Sequence, residues 1–179
     1  MTTTPVIETA RLILRGRTID DFAAYAAIWR EPEVVARIGG GAPLSEEDAW
    51  NKFSRMAGVW ALLGYGFFLV EEKSSGAVIG DIGVCDFKRD ITPSLAGMPE
   101  FGWVLSSAAH GKGYAKEAVA AVVDWAGKKF PGATFCCIID KDNAASIRIA
   151  EAFGFRRAGN GAYHGGEVVI FKRPPANPG

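Results

Sequence analysis

The feature that most constrains this chain is a strand-like run that leads through a short glycine-containing loop into a long helix. Residues 100–105 are typical of a strand, and the apolar spacing of 114–129 predicts a helix, with His110-Gly-Lys-Gly113 between them. Amides at a helix start lack intrahelical acceptors and lie at the positive end of the helix dipole. Because glycine lets an anion approach the main chain, the segment predicts a phosphate or pyrophosphate site. A plain strand-to-helix turn is the alternative.

The remaining hydrophobic periodicity predicts one α/β (α+β) domain. The predicted order of elements is β-α-α-β-β-β-α-β-α-β-β, in which a three-stranded meander is followed by a β-α-β unit. This order predicts a mixed sheet of about seven strands with helices on both faces. We expect the domain to cover residues 1–173 and the Pro-rich tail at 174–179 to be disordered.

Composition argues against several classes of protein. The 179 residues include 20 Lys and Arg and 20 Asp and Glu, so the formal net charge is zero, which argues against a nucleic-acid or membrane-surface binder. Three cysteines without a C-x-x-C pair and two histidines argue against a zinc site or a disulfide framework. The longest apolar stretch, 56–70, is too short to cross a bilayer, and the start has no targeting pattern. We therefore expect a cytoplasmic protein in a reducing compartment.

Two other phosphate-binding loops fit the glycine-containing segment poorly. The nucleoside-triphosphate pattern Gly-x-x-x-x-Gly-Lys-Ser/Thr is absent. The dinucleotide pattern Gly-x-Gly-x-x-Gly is incomplete, because Lys116 stands at its last position, and it follows a meander instead of a first strand. A nicotinamide-dependent enzyme is therefore disfavoured.

The segment His110-Gly-Lys-Gly-Tyr-Ala115 resembles the acyl-CoA pyrophosphate loop, Gln/Arg-x-x-Gly-x-Gly/Ala, of the GNAT N-acetyltransferases. Further segments resemble the RimJ/RimL branch, the ribosomal-protein-alanine N-acetyltransferase type, and in chain order they lie at 9–15, 29–34, 64–67, 100–105 and 142–146 with 153–155. These segments follow the family's order and cover nearly the whole chain. The resemblance therefore implies a GNAT-like fold in which the fourth and fifth strands splay apart in a V.

The resemblance also implies acetyl-CoA as donor, a primary amine as acceptor and no metal. In the family, loop amides hold the pyrophosphate, the fourth strand pairs with the pantetheine arm, and an Asn contacts that arm. The matching positions here are Val104, Leu105, His110, Gly111, Lys112, Gly113, Tyr114, Ala115, Lys116, Asn143 and Ser146. His110 departs from the usual Gln, Arg or Trp, and Asn143 alone could be a helix cap.

Acetyl transfer to an amine requires a group that accepts the proton of the ammonium form. Glu100, at the start of the fourth strand, is the first candidate for this general base, and Glu167 is the second. A buried Glu is disfavoured unless it is paired, so an Arg-paired or solvated Glu100 is the alternative. A main-chain N–H at Val104 or Leu105 is expected to polarise the thioester carbonyl.

The leaving thiolate needs a proton, and many family members supply it from a Tyr at the position that Ala150 occupies here. Ser146 stands where the RimL type has a Ser with that role, although a helical Ser more often bonds to its own turn. The missing Tyr keeps a second hypothesis open, a non-catalytic acyl-CoA-binding module of the same fold. The identity of the amine and the oligomeric state also stay open, and the branch often forms homodimers.

Overall fold

The computed structural model describes residues 4–38 and 40–175 and contains the predicted elements together with two short edge strands. Residues 176–179 of the tail predicted to be disordered lie outside this range. The strands are β1 Ile7–Glu8, β2 Leu12–Arg15, β3 Phe67–Glu72, β4 Val78–Cys85, β5 Ile91–Thr92, β6 Glu100–Leu105, β7 Phe135–Ile139, β8 Arg156–Tyr163 and β9 Gly166–Arg173. The helices are α1 Phe22–Arg30, α2 Pro32–Val35, α3 Glu46–Leu63, α4 Tyr114–Lys129 and α5 Ala144–Ala152.

All the strands join one mixed sheet. Its order is β1-β2-β3-β4-β6-β7-β9-β8-β5, and β6 and β7 are parallel neighbours while the other neighbours are antiparallel. The seven predicted strands are confirmed as β2, β3, β4, β6, β7, β8 and β9. The edge strands β1 and β5 have two residues each, and β5 lies in the segment 88–98 that the sequence predicts to be a loop.

The sheet opens between β6 and β7. The register of this pair records one match, Glu100 with Cys136, and the Cys136 N–H donates to the Pro99 carbonyl at 3.1 Å. Beyond that point β6 continues to Leu105 without pairing to β7 in the described part of the chain. We call the resulting gap the V, and it widens toward the carboxyl ends of both strands.

Helices cover both faces of the sheet, as predicted. On the α4 face, helix residues such as Val119 and Val122 pack against Phe68, Ile82 and Phe101. On the α1–α3 face, the buried core consists of Tyr25, Trp29, Val35, Phe53 and Leu69, with Val104 packed against it. Among the described residues no helix is long and apolar enough to cross a membrane.

The helix boundaries follow from local chemistry. The Ser45 hydroxyl accepts the Asp48 N–H at 3.0 Å, which caps α3, and Gly64 ends this helix in the left-handed region at φ +70°. Before α1, the Asp21 carboxylate accepts the Thr18 N–H at 2.7 Å and pairs with Arg15 at 2.8 Å. Burial raises the pKa of Asp21, but the bonds from Arg15 and Thr18 outweigh it and hold that pKa below its usual value.

Candidate active site

The loop at 110–116, which we call the glycine loop, presents a run of free main-chain amides. Gly111 and Gly113 have φ of +72° and +79°, the left-handed region that favours glycine. Gly113 caps α4 without a side-chain hydrogen bond. Within the described residues, no amide from Gly111 to Lys116 donates to a protein acceptor. These amides, at the positive end of α4 and beside exposed Lys112 and Lys116, form a site that can hold a diphosphate.

Arg11, the residue before β2, holds the glycine loop. Its guanidinium donates to the Lys112 carbonyl at 2.8 Å, pairs with Glu117 at 2.7 Å and lies 4.4 Å from the centre of the Tyr114 ring. Glu117 also accepts the Thr9 hydroxyl at 2.6 Å. Because Arg11 binds the loop through a carbonyl, the loop is positioned while its amides stay available to a ligand.

The main chain of β6 faces the V at Leu105 and faces β4 at Val104. The Ser106 N–H donates to the Ile79 carbonyl of β4 at 2.8 Å. Because alternate residues of an antiparallel strand bond to the same neighbour, the Val104 main chain also points to β4. Of the two positions predicted to polarise a carbonyl, Leu105 therefore presents its main chain to the V. The His110 ring lies 3.0 Å from the Leu105 carbonyl through Nε2.

Asn143 and Ser146 lie at the start of α5, which follows β7 as α4 follows β6. The Asn143 side-chain oxygen accepts the Ser146 N–H at 3.1 Å, so Asn143 caps this helix. The Ser146 hydroxyl is half-buried and makes no hydrogen bond within the described residues. Since β6 and β7 are parallel, α5 and the glycine loop begin at the same open end of the V.

Glu100 lies at the closed end of the V and is paired. Both its oxygens accept from Arg89, at 2.6 and 2.7 Å, and Arg89 also donates to the Tyr163 hydroxyl at 2.8 Å. Burial raises the pKa of Glu100, and Arg89 offsets only part of this increase. Four residues of strand, about 13 Å, separate Glu100 from Val104. The Arg-paired alternative is therefore the arrangement observed, and the role of Glu100 as a base stays a prediction.

A cavity of about 90 Å³ opens beside Glu100, between β4, β6 and the segment that joins them. Cys85, Asp86, Phe87, Arg89 and Met98 contribute to its lining. Glu167, the second candidate base, is exposed on β9 and accepts from Asn160. The structure thus places Glu100 beside a cavity at the closed end of the V, and Glu167 at the exposed start of β9.

Sequence reasoning missed a set of charged and polar side chains under α1 and α3. We call Arg17, Tyr25, Lys52 and Asp81 the buried charged cluster. Asp81 is 2% exposed in the middle of β4, and its carboxylate lies 3.9 Å from the Arg17 guanidinium. Burial raises the pKa of Asp81, while the charges of Arg17 and Lys52 lower it in part. The one available signal was a lone acidic residue within the apolar run Val78–Cys85.

Comparisons with known proteins agree with this geometry. A family model described as "Acetyltransferase (GNAT) domain" matches residues 11–156. A putative GnaT-family acetyltransferase from Bordetella pertussis is 28% identical, with a TM-score of 0.82 over 94% of this chain and 99% of that one. A phosphinothricin acetyltransferase from Sinorhizobium meliloti, solved in complex with AcCoA, is 26% identical, with a TM-score of 0.68 over 91% of this chain and 88% of that one.

A putative ribosomal-protein-serine acetyltransferase from Vibrio cholerae shares the fold, with 20% identity and a TM-score of 0.76 over 98% of this chain and 100% of that one. The family model covers most of the chain, and the glycine loop and the V lie within its limits. The chain therefore belongs to the GNAT acetyltransferase family.

Proposed function

We propose that the protein transfers an acetyl group from acetyl-CoA to a primary amine by direct attack within a ternary complex. The observation that carries this proposal is the run of amides from Gly111 to Lys116, which have no protein acceptor in the described residues and stand at the open end of the V. These amides suit a pyrophosphate, and the unpaired edge of β6 suits an extended amide-bearing arm. The acetyl-CoA complex of the Sinorhizobium meliloti relative supports the choice of donor.

The proposed role of each residue follows from its position relative to the glycine loop and the V. The amides from Gly111 to Lys116 bind the diphosphate, with His110 beside them. The Leu105 N–H is directed to the V, where it polarises the thioester carbonyl; one such donor contributes about 3 kcal/mol in enzymes. Asn143 contacts the pantetheine arm, and Ser146, whose hydroxyl is free of protein partners, protonates the leaving thiolate.

Glu100 is a candidate proton acceptor, assisted by water. It is buried beside the cavity, with a pKa raised by burial despite its pairing with Arg89. The acceptor is a protein N-terminus or a small-molecule amine. The buried thiols of Cys85, Cys136 and Cys137 support a reducing, cytoplasmic location.

One observation favours a second function, an acyl-CoA-binding module. Ala150 is fully buried at the position where many relatives carry a Tyr acid, so no side chain at that position can protonate a thiolate. The two functions share the glycine loop and differ in turnover.

Thiol release from acetyl-CoA, measured with a panel of primary amines, tests the proposal. We expect amine-dependent release, together with thermal stabilisation of the protein by CoA. Stabilisation without release for any amine would favour the binding module. Absence of both effects would remove acetyl-CoA as the ligand.

A further inference from the structure

The buried charged cluster contains polar atoms that the fold leaves without partners. Within the described residues, the Tyr25 hydroxyl and the Arg17 Nε are buried and make no hydrogen bond. The Asp81 carboxylate beside them is 2% exposed, and the Arg17 guanidinium lies 3.9 Å from it. Buried polar atoms without hydrogen-bond partners are costly to the fold, so the stability of the fold does not explain this arrangement.

The other contacts of the cluster hold it in place without neutralising Asp81. Arg17 donates to the carbonyls of Phe53 and Phe67, both at 3.2 Å. Lys52 reaches over from α3, with its ammonium 4.2 Å from the centre of the Trp29 ring. Burial lowers the pKa of Lys52, and the charge of Asp81 offsets part of this decrease.

The cluster lies next to the V. Asp81 of β4 is paired in register with Val104 of β6, and cross-strand partners project their side chains from the same face. That face is the α1–α3 face, where Val104 packs against the core containing Tyr25. The other edge of β6 borders the V at Leu105. Asp81 is therefore one strand away from the proposed site of transfer, while Glu100 is four residues farther along β6.

We propose that Asp81 is the proton acceptor for the acceptor amine, through a water held by the Tyr25 hydroxyl. An N–H bond of the ammonium breaks, its proton passes to the water, and a proton of the water bonds to an Asp81 oxygen. The nitrogen keeps the electron pair and attacks the thioester carbonyl; the C–N bond forms, and the C–S bond breaks as its electron pair leaves with the thiolate. Its second proton, lost as the amide forms, balances the proton gained by the thiolate. The charges of Arg17 and Lys52 favour the ionised form of Asp81 before the transfer and oppose the effect of burial. This inference rests on the proposed function.

Tyr25→Phe separates this role from a structural one. The substitution removes a buried hydroxyl that makes no hydrogen bond in the described structure, so a purely structural reading predicts equal or higher thermal stability and unchanged turnover. We expect the same stability gain together with a roughly tenfold lower kcat and an unchanged CoA affinity. Unchanged kcat would remove Tyr25 from the path of the proton.

Asp81→Asn tests the acceptor itself. We expect kcat at pH 7 to fall by about 10²-fold or more with an ordinary alkylamine, whereas a weakly basic amine that is already neutral at pH 7 loses much less. In the unsubstituted protein, kcat/KM should fall as the pH drops because Asp81 becomes protonated. This acidic limb of the pH profile should be absent in Asp81→Asn. The titratable groups that face Asp81 are Arg17, Tyr25 and Lys52. All three lower its pKa, but burial outweighs them and raises that pKa, so the limb lies above the usual range of an Asp.

Asp21→Asn is the matched control, because Asp21 is also a buried carboxylate but is fully bonded to Arg15 and Thr18. It should lower thermal stability and leave the pH profile and the amine preference unchanged. An equal loss in Asp81→Asn for both amines at every pH would overturn the proposal. Loss of the acid limb in Glu100→Gln, with the limb kept in Asp81→Asn, would assign the proton to Glu100. Amine-dependent thiol release by the unsubstituted protein tests the proposed function itself. If this release is observed, a negative result with the variants overturns only the role of Asp81.

Discussion

The glycine loop borders the V and the buried charged cluster lies one strand away from it, and the two are built in opposite ways. The loop is contiguous and exposed, and it offers main-chain amides whose direction is set by two left-handed glycines. The cluster is buried and offers side chains from the segment before α1, from α1 and α3, and from β4. Binding by main-chain amides is lost when the backbone geometry changes, whereas the function of a side-chain site can be removed one functional group at a time by substitution. The following predictions test this contrast.

Gly113→Val should have the largest effect. Valine is strained at φ +79° and its side chain lies next to Arg11, so the loop amides turn away from the ligand. We expect the CoA dissociation constant to rise by at least about 100-fold, equivalent to about 2.8 kcal/mol, in a calorimetric titration.

Gly76→Val is the control for that strain. Gly76 has φ +69° in the turn between β3 and β4, and its missing Cβ would meet nothing within 4 Å. It should lower thermal stability to a similar extent and leave CoA affinity unchanged. Equal loss of affinity in both variants would mean that general destabilisation, not loop geometry, explains the result.

Arg11→Ala tests whether the glycine loop depends on its contacts with Arg11. The variant removes the bonds to the Lys112 carbonyl and to Glu117, so the loop amides lose their fixed direction. We expect about a tenfold higher CoA dissociation constant. Arg30→Ala, which removes an exposed ion pair with Glu46, should change affinity by less than about twofold. Unchanged affinity in Arg11→Ala would show that the glycines alone position the loop.

Asn143 allows capping to be separated from ligand contact. Asn143→Ala removes the cap of α5, at a cost of about 1 kcal/mol of stability in thermal unfolding, whereas Asn143→Ser retains a capping oxygen. If Asn143 also contacts the pantetheine arm, both variants raise the CoA dissociation constant by a few-fold. If only Asn143→Ala weakens binding, the residue acts through the cap.

The sequence predicted those features that depend on neighbouring residues. Period-2 and period-3.6 patterns predicted the seven longer strands and α4 at its observed limits, and the glycine spacing predicted the loop. The strands β1 and β5 were missed because two residues carry no periodicity. β1 pairs with β2 and β5 pairs with β8, and this pairing makes the two short segments the edge strands of the sheet.

Side-chain partnerships were harder to predict. Glu100 was singled out as a buried carboxylate, but its partner Arg89 lies in a loop without a regular pattern. The buried charged cluster brings together residues from positions 17 to 81, and each of them alone has an ordinary explanation. Only the register of β4 with β6 and the packing of α1 and α3 place these groups together.

The single match between Glu100 and Cys136 has a mechanical consequence for the whole molecule. It divides the sheet into two halves, with β1, β2, β3, β4 and β6 on one side and β7, β9, β8 and β5 on the other, joined at one paired position. In the proposed complex, a ligand lying along β6 supplies hydrogen bonds to its unpaired edge and makes the junction between the two halves more rigid. Amide hydrogen exchange at Leu105 should therefore slow on CoA binding, so that the cofactor acts as a temporary strand of the sheet.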